Sequence, residues 1–186
     1  MDLLKKQPAV FFFNDTLKGS SVIEKKTTIK DLEGVFTDES ARKQMAQNET
    51  VYEVEAYLPV AEGTPGGLFF GVTKLQPGQV GEEYFMTRGH YHALSDRGEF
   101  YWGIQGEGYV LLMSRDRSVR TEKMYPGSLH YIPEHTAHRV ANTGSELLSF
   151  GACWPSDAGH DYEEIAKNGF AARLINKNGE PQLVIG

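Results

Sequence analysis

Two histidines one residue apart, His90 and His92, are the first residues of this 186-residue chain whose types and spacing could do chemistry. In an extended chain, residues i and i+2 point to the same face, so the two imidazoles can meet at one point. They stand in the stretch Thr87–Gly106, TRGHYHALSDRGEFYWGIQG, where a polar loop leads to Glu99 and an aromatic strand. Glu99 shares its parity with Tyr101, Gly103 and Gln105, while Phe100, Trp102 and Ile104 take the opposite face. Two imidazoles and a carboxylate converging from neighbouring strands are a donor set for a divalent transition metal. An H-x-H pair also arises by chance on polar strand faces, so the set needs a further donor.

The other histidines are His130, His135, His138 and His160. A lone strand histidine is more often a structural hydrogen-bonder than a ligand. The segment PGSLHYIPEHTAHRVAN offers His138, which shares a face with Val140 and Asn142 if the chain is extended. From a strand opposite the first stretch, it would complete three histidines and one carboxylate. A zinc pairing of His135 with His138 is disfavoured, because Pro133 opposes a helix through them and on a strand their parities differ.

The elements that must position these residues read as β. Glycine (20 residues) and aromatics (11%) are plentiful, and turn signals recur every 8–12 residues. ETVYEVEAYLP alternates, with Tyr52, Val54, Ala56 and Leu58 on one face and Val51, Glu53, Glu55 and Tyr57 on the other. LFFGVTKL returns after EGTPGG, and Gly106-Glu107-Gly108 is expected to join EFYWGIQ to YVLLMS as a tight hairpin. Strands continue through VRTEKM, SLHYI, HRVAN and ELLSFGACW. Two short helices interrupt the series. One is capped by Thr37 or Asp38 and ends near Asn48; the other covers about 160–168, capped by Ser156 or Asp157 and ending at Asn168-Gly169. AVFFF (9–13) and TTIK (27–30) are candidate strands, and the tail is a hairpin turning at Asn178-Gly179. An antiparallel sandwich or barrel follows, not a parallel α/β sheet.

Chain length fits one domain, 1–186, with an N-terminal extension (1–48), a barrel core (50–155) and a C-terminal helix and hairpin (156–186). Burial of roughly 70% of the unfolded surface is within reach at this size, so no disulfide is needed for folding. The one cysteine, Cys153, and an N-terminus that is neither a signal peptide nor a span indicate the cytoplasm and no membrane association. A net charge of −6 argues against a nucleic-acid partner.

The two histidine stretches resemble the two cupin motifs, HYH with Glu99 and Gly106 for the first and PG…P…H…N for the second. Six residues separate His92 from Glu99, where the general cupin pattern has three or four. That longer spacer is similar to one branch, the cupin-type phosphoglucose isomerases. TRGHYHALSDRGEFYWGIQGEG resembles its first motif, YIPEHTAHRVANTG its second, and WPSDAGHDYEEIAKNGF its segment after the barrel. The resemblance implies an all-β cupin jelly-roll barrel of antiparallel strands with a few short helices, and metal ligands His90, His92, Glu99 and His138. It further implies sugar-phosphate contacts at Thr73, Thr87, Gly89, Tyr101, His160 and Tyr162. Read alone, Tyr101 is a core aromatic and the threonines are β-formers.

Glucose 6-phosphate and fructose 6-phosphate are then the expected substrates, in glycolysis and gluconeogenesis, with Glu99 as base and His160 assisting. The resemblance leaves proton transfer through an enediol and a direct hydride shift open. Iron(II) is the expected metal, and manganese, nickel or zinc suit the same donors. A cupin iron dioxygenase and a non-catalytic sugar-binding cupin are the rival readings. The branch is typically dimeric, and Val10 to Phe13 is a candidate partner surface. Trp154 stands where the branch more often has tyrosine, and His135 and Thr136 where it has larger aromatics. Thr87 and Gly89 are out of phase with His90 and His92, so a bulge near Arg88-Gly89 is expected.

Overall fold

The computed structural model describes residues 7–186, and no helix among them is long and apolar enough to cross a membrane. The opening MDLLKK, part of the stretch read as neither signal peptide nor span, lies outside the described residues.

The chain starts with a hairpin of β1 (Phe11–Phe13) and β2 (Thr16–Lys18). Asn14 and Asp15 turn it with φ of 49° and 56°, the sign that a type I′ turn requires. β3 (Val22–Thr28), a 3-10 turn (Lys30–Leu32) and α1 (Glu39–Gln44) follow. Asp38 caps α1 as expected, its carboxylate accepting the Ala41 N–H at 2.8 Å, and the helix stops at Met45. β4 (Thr50–Tyr57) and β5 (Leu68–Leu75) are antiparallel neighbours, followed by the short β6 (Gln79–Val80) and β7 (Glu83–Tyr84).

The remaining barrel strands are β8 (Glu99–Gln105), β9 (Gly108–Met113), β10 (Val119–Met124), β11 (Leu129–Ile132), β12 (Ala137–Asn142) and β13 (Leu148–Pro155). α2 (Glu163–Asn168) and the hairpin of β14 (Ala172–Lys177) and β15 (Glu180–Ile185) close the chain. Two antiparallel sheets make the barrel. One has the order β11-β8-β13-β5-β4-β3, and the other β10-β9-β12. Leu75, Phe150 and Ile132 from the first meet Val110, Leu112 and Val140 from the second in one buried core. The fold is the expected all-β jelly roll.

Two expectations are overturned. Gly106-Glu107-Gly108 is not a hairpin turn: β8 pairs with β11 and β13, whereas β9 pairs with β10 and β12, so the connection crosses between sheets. Its glycines serve close backbone approach. A Cβ at Gly106 would lie 2.4 Å from the Leu147 carbonyl oxygen, and one at Gly108 2.2 Å from that of Ala141. Nor do Ser156 or Asp157 cap α2. Ser156 Oγ donates to the Thr64 carbonyl (2.7 Å), Asp157 pairs with Arg97, and Asp161 accepts the Glu163 N–H at 3.0 Å.

The alternation in β4 buries both faces. Val51 joins the main core, and Glu55 lies under the N-terminal hairpin, where one of its carboxylate oxygens accepts the Leu17 N–H at 2.7 Å and the other pairs with Lys74. A buried carboxylate is tolerable because both oxygens are partnered.

Gly103 fixes how closely the β10–β11 turn lies on β8. Its N–H donates to the Ser128 carbonyl and its own carbonyl accepts from Gly127, both at 2.9 Å, and a Cβ there would sit 2.1 Å from the Tyr125 carbonyl oxygen. Gly103→Ala is therefore expected to cost about 3 kcal/mol, at the upper end of overpacking. Gly127→Ala, at φ +89° with open space around it, should cost only about 1 kcal/mol. Denaturant melts compare them, and equal losses would contradict the packing account.

Candidate metal centre

The two sheets bring the four expected donors together. Glu99 opens β8 on the first sheet and His138 sits in β12 on the second. Residues 86–90 run beside β12, bridging it at Met86–Ala141 and His90–His138. His90 and His138 exchange backbone hydrogen bonds, His90 N–H to His138 O at 3.3 Å and His138 N–H to His90 O at 3.0 Å. One ligating atom from each of His90, His92, Glu99 and His138 lies within 4.8 Å of the other three. Donors about 2.1 Å from a common ion are at most about 4.2 Å apart, so holding one needs only a small contraction.

Hydrogen bonding around the cluster fits a cation. His92 Nδ1 lies 2.8 Å from the Arg97 carbonyl, which only accepts, so Nδ1 carries the proton and Nε2 is left for the centre. His138 Nδ1 likewise faces the Thr136 carbonyl at 3.4 Å. Both Nε2 atoms then stand 3.1 Å from the same oxygen of Glu99. His138 Nε2 and His90 Nε2 are buried without a hydrogen-bond partner. Lone pairs aimed at a buried carboxylate are repulsive unless a proton or a cation lies between them.

The charges follow from this crowding. Burial would raise the Glu99 carboxyl, but the adjacent His138 and His92 imidazoles outweigh it and hold it below the ordinary carboxylate range. Burial pulls His92 down, yet the Glu99 carboxylate and the Arg97 carbonyl lift it above the usual imidazole value. Burial first, and then the other three imidazoles, push His90 well below that value, so it stays neutral. Tyr101, buried with its ring 5.5 Å from that of His138, is pushed well above the ordinary phenol value by burial and then by Glu99. It remains a hydrogen donor.

The expected bulge is present. Met86 bridges Ala141 and His90 bridges His138, so one extra residue lies between the bridges on the 86–90 side. Gly89 takes φ +78° there, and a Cβ on it would lie 3.0 Å from Arg139 Nε. Thr87 stabilises the bulge through its backbone N–H, which donates to the Val140 carbonyl, and its Oγ1, which accepts the Val140 N–H at 3.0 Å. Its hydroxyl proton and second lone pair are left for a ligand. Thr73 is buried in β5, in the same cross-strand row as Phe150 and Gly103. His160 and Tyr162 stack in parallel, 5.7 Å apart, with their rings 4.4 Å and 5.5 Å from His90. Trp154 packs edge-on to Phe69, its ring covering Gly71.

The other histidines stand apart from the cluster. His130 is buried between Glu122 and Ser128, at 2.8 Å and 2.9 Å, and His135 is exposed with φ +58°. Two contributors had no signal in the residue pattern. Arg97 acts on His92 through a backbone carbonyl, which residue type does not reveal. Arg139, buried on the reverse face of β12, donates to the Arg88 carbonyl at 2.9 Å and lies against the Phe170 ring, so it backs the bulge from behind.

Because His92 is lifted by Glu99, the metal must displace a proton that this imidazole holds to higher pH than a free one would. Apparent affinity for a divalent metal should be level at alkaline pH, start to fall above pH 6.5, and drop about tenfold per unit thereafter. Competition with a chelator across pH measures this. An affinity unchanged between pH 8 and 5.5 would contradict the His92–Glu99 coupling.

Comparison with known families returns a match over residues 25–184 to the family described as Glucose-6-phosphate isomerase (GPI). The chain is 42% identical over 156 residues to "Glucose-6-phosphate isomerase" of Pyrococcus furiosus, covering 84% of this chain and 82% of that one. It is 43% identical over 157 residues to the protein of the same name from Thermococcus onnurineus, with the same coverages. A "Putative glucose-6-phosphate isomerase 2" of Rhizobium meliloti is 41% identical, over 82% of this chain and 76% of its own. Among solved structures, an oxalate decarboxylase from Bacillus subtilis aligns over 59% of this chain and 26% of its own with TM-score 0.45 and 20% identity, too distant to carry an argument.

Proposed function

The chain belongs to the glucose-6-phosphate isomerase family, and from that we propose that it interconverts glucose 6-phosphate and fructose 6-phosphate at the His90, His92, Glu99 and His138 cluster. The observation that carries the reading is the pair of imidazole Nε2 atoms, each 3.1 Å from one buried Glu99 oxygen. We read His90, His92, Glu99 and His138 as holding one divalent cation, iron(II) by preference, with manganese, nickel or zinc suited to the same donors. When bound, such a cation acts as a Lewis acid on the sugar's C1 and C2 oxygens.

The protein's own groups have defined tasks in this reading. Aldose–ketose isomerisation moves hydrogen from C2 to C1 while a proton shifts between O2 and O1. Glu99, ionised and walled in, is the base for a proton route through an enediol. In a direct hydride shift it would serve only to hold charge. Tyr101 stays protonated and can donate to a sugar oxygen. Thr73, the Thr87 hydroxyl proton and the Gly89 backbone are read as phosphate contacts. His160 and Tyr162, stacked at the rim beside His90, are read as gripping the open sugar chain and assisting ring opening.

In the same reading the chain is one functional unit, works in the cytoplasm in glycolysis and gluconeogenesis, and pairs as a homodimer. Three consecutive exposed phenylalanines, Phe11, Phe12 and Phe13, support that last point, since contiguous exposed apolar surface marks contact sites.

The test is NMR of glucose 6-phosphate with metal-loaded protein in deuterated water. Fructose 6-phosphate should form, and chelation should abolish turnover. Deuterium at carbon would support the proton route, and its absence the hydride shift. Oxygen consumption without sugar-phosphate turnover would mark a dioxygenase, and binding without turnover a sugar-binding protein; either would sink the proposal. His138→Ala should lose the metal and about a thousandfold in kcat/KM, the scale of several kcal/mol of Lewis-acid stabilisation. Retention of both would mean the ligand set is wrong.

A further inference from the structure

Two features of the sequence that stand apart from general cupins, the six-residue spacer after His92 and the segment after the barrel, are in direct contact. Arg97 in the spacer makes a two-pronged ion pair with Asp157, Nε to Oδ1 at 3.0 Å and a terminal nitrogen to Oδ2 at 2.9 Å. Asp157 begins a strap that runs antiparallel beside the histidine strand. The Leu94 N–H donates to the Ala158 carbonyl at 2.9 Å, and Tyr91 and Asp161 exchange backbone hydrogen bonds at 3.1 Å and 2.8 Å. Gly159, at φ +60°, lets the strap come this close, since a Cβ there would lie 2.9 Å from that of Ala93. The strap carries His160 and Tyr162 to their places beside His90.

We propose that Arg97 is a positioning residue that couples the two halves of the site, holding metal ligand His92 by its backbone carbonyl and the His160–Tyr162 strap by its guanidinium. The geometry favours a dedicated link over an incidental surface pair. Planar fork meets carboxylate along two parallel bonds, the arrangement that fixes orientation as well as distance. The ion pair closes the strap at the end opposite α2, whose C-terminal carbonyls at Asn168 and Gly169 accept from Arg117. A strap pinned at both ends has little freedom left between them. The carbonyl of the same residue faces His92 Nδ1 at 2.8 Å, so a shift of the spacer moves a ligand and the strap together. The kinetic consequence rests on the isomerase reading; the coupling itself does not.

The test uses Asp157→Asn, Arg97→Gln and the double variant in the full-length, metal-loaded protein. Asp157→Asn leaves the spacer and its carbonyl untouched, so it isolates the side-chain link. Each single variant should raise KM for glucose 6-phosphate about fivefold, the upper range of a half-exposed pair, with kcat within about twofold at saturating metal and the metal held less tightly against a chelator. The double variant should be no worse than either single one. Arg97→Lys, which keeps the charge but loses the fork, should lie between wild type and Arg97→Gln. Amide hydrogen exchange gives a readout independent of activity. The Leu94 and Asp161 amides should exchange about fivefold faster in the variants, while Val140 and Asn142 in β12 stay as they are. Faster exchange in a protein with no isomerase activity would uphold the coupling and remove only the kinetic reading. Unchanged exchange at Leu94 and Asp161 would overturn the proposal, as would additive losses in the double variant or a metal held as tightly in Asp157→Asn as in wild type.

Discussion

Two imidazole nitrogens aimed at one oxygen of a buried carboxylate form an arrangement that repels itself unless positive charge, a proton or a cation, is supplied between them. No tautomer of the neutral rings relieves it, because the Arg97 and Thr136 carbonyls claim the Nδ1 protons of His92 and His138. The two barrel sheets are drawn together by their shared apolar core, and this convergence is held in place by that packing. Glu99 comes from one sheet and the histidines from the other, so the distance between sheets is also the size of the site. The closeness of the cluster is thus a property of the whole barrel.

The supporting layers make sense in that light. The bulge at 86–90 turns His90 and His92 onto the centre while leaving Thr87 and Gly89 beside it, and Arg139 is buried behind it. The outer face of β4 is sealed by the N-terminal hairpin through Glu55 and Leu17, and the strap after β13 closes over the histidine strand. The bulge and the strap use backbone hydrogen bonds to neighbouring strands, whereas the hairpin is tied to β4 by the Glu55 side chain.

Much of this was legible in the sequence. The parity of Glu99, Tyr101 and Gly103, the shared face of His90 and His92, the cap at Asp38, the final turn at Asn178-Gly179 and the bulge at Gly89 all follow from local rules of spacing and glycine chemistry. What was not legible is non-local. Gly106 and Gly108 signal a turn in any local reading, and only the strand partners reveal a crossing between sheets. Ser156 and Asp157 have the chemistry of helix caps, but Thr64 and Arg97, far away in sequence, claim them first. The burial of Glu55 on a face that alternation alone leaves open depends on a hairpin nearly forty residues earlier.

The most direct measurement is X-ray anomalous scattering at the metal edge from crystals of active protein, together with metal stoichiometry. The account predicts one divalent ion per chain, within bonding distance of Nε2 of His92 and His138, a His90 ring nitrogen and a Glu99 oxygen. A fully active protein with no ion there, or with its ion bound elsewhere, would contradict it.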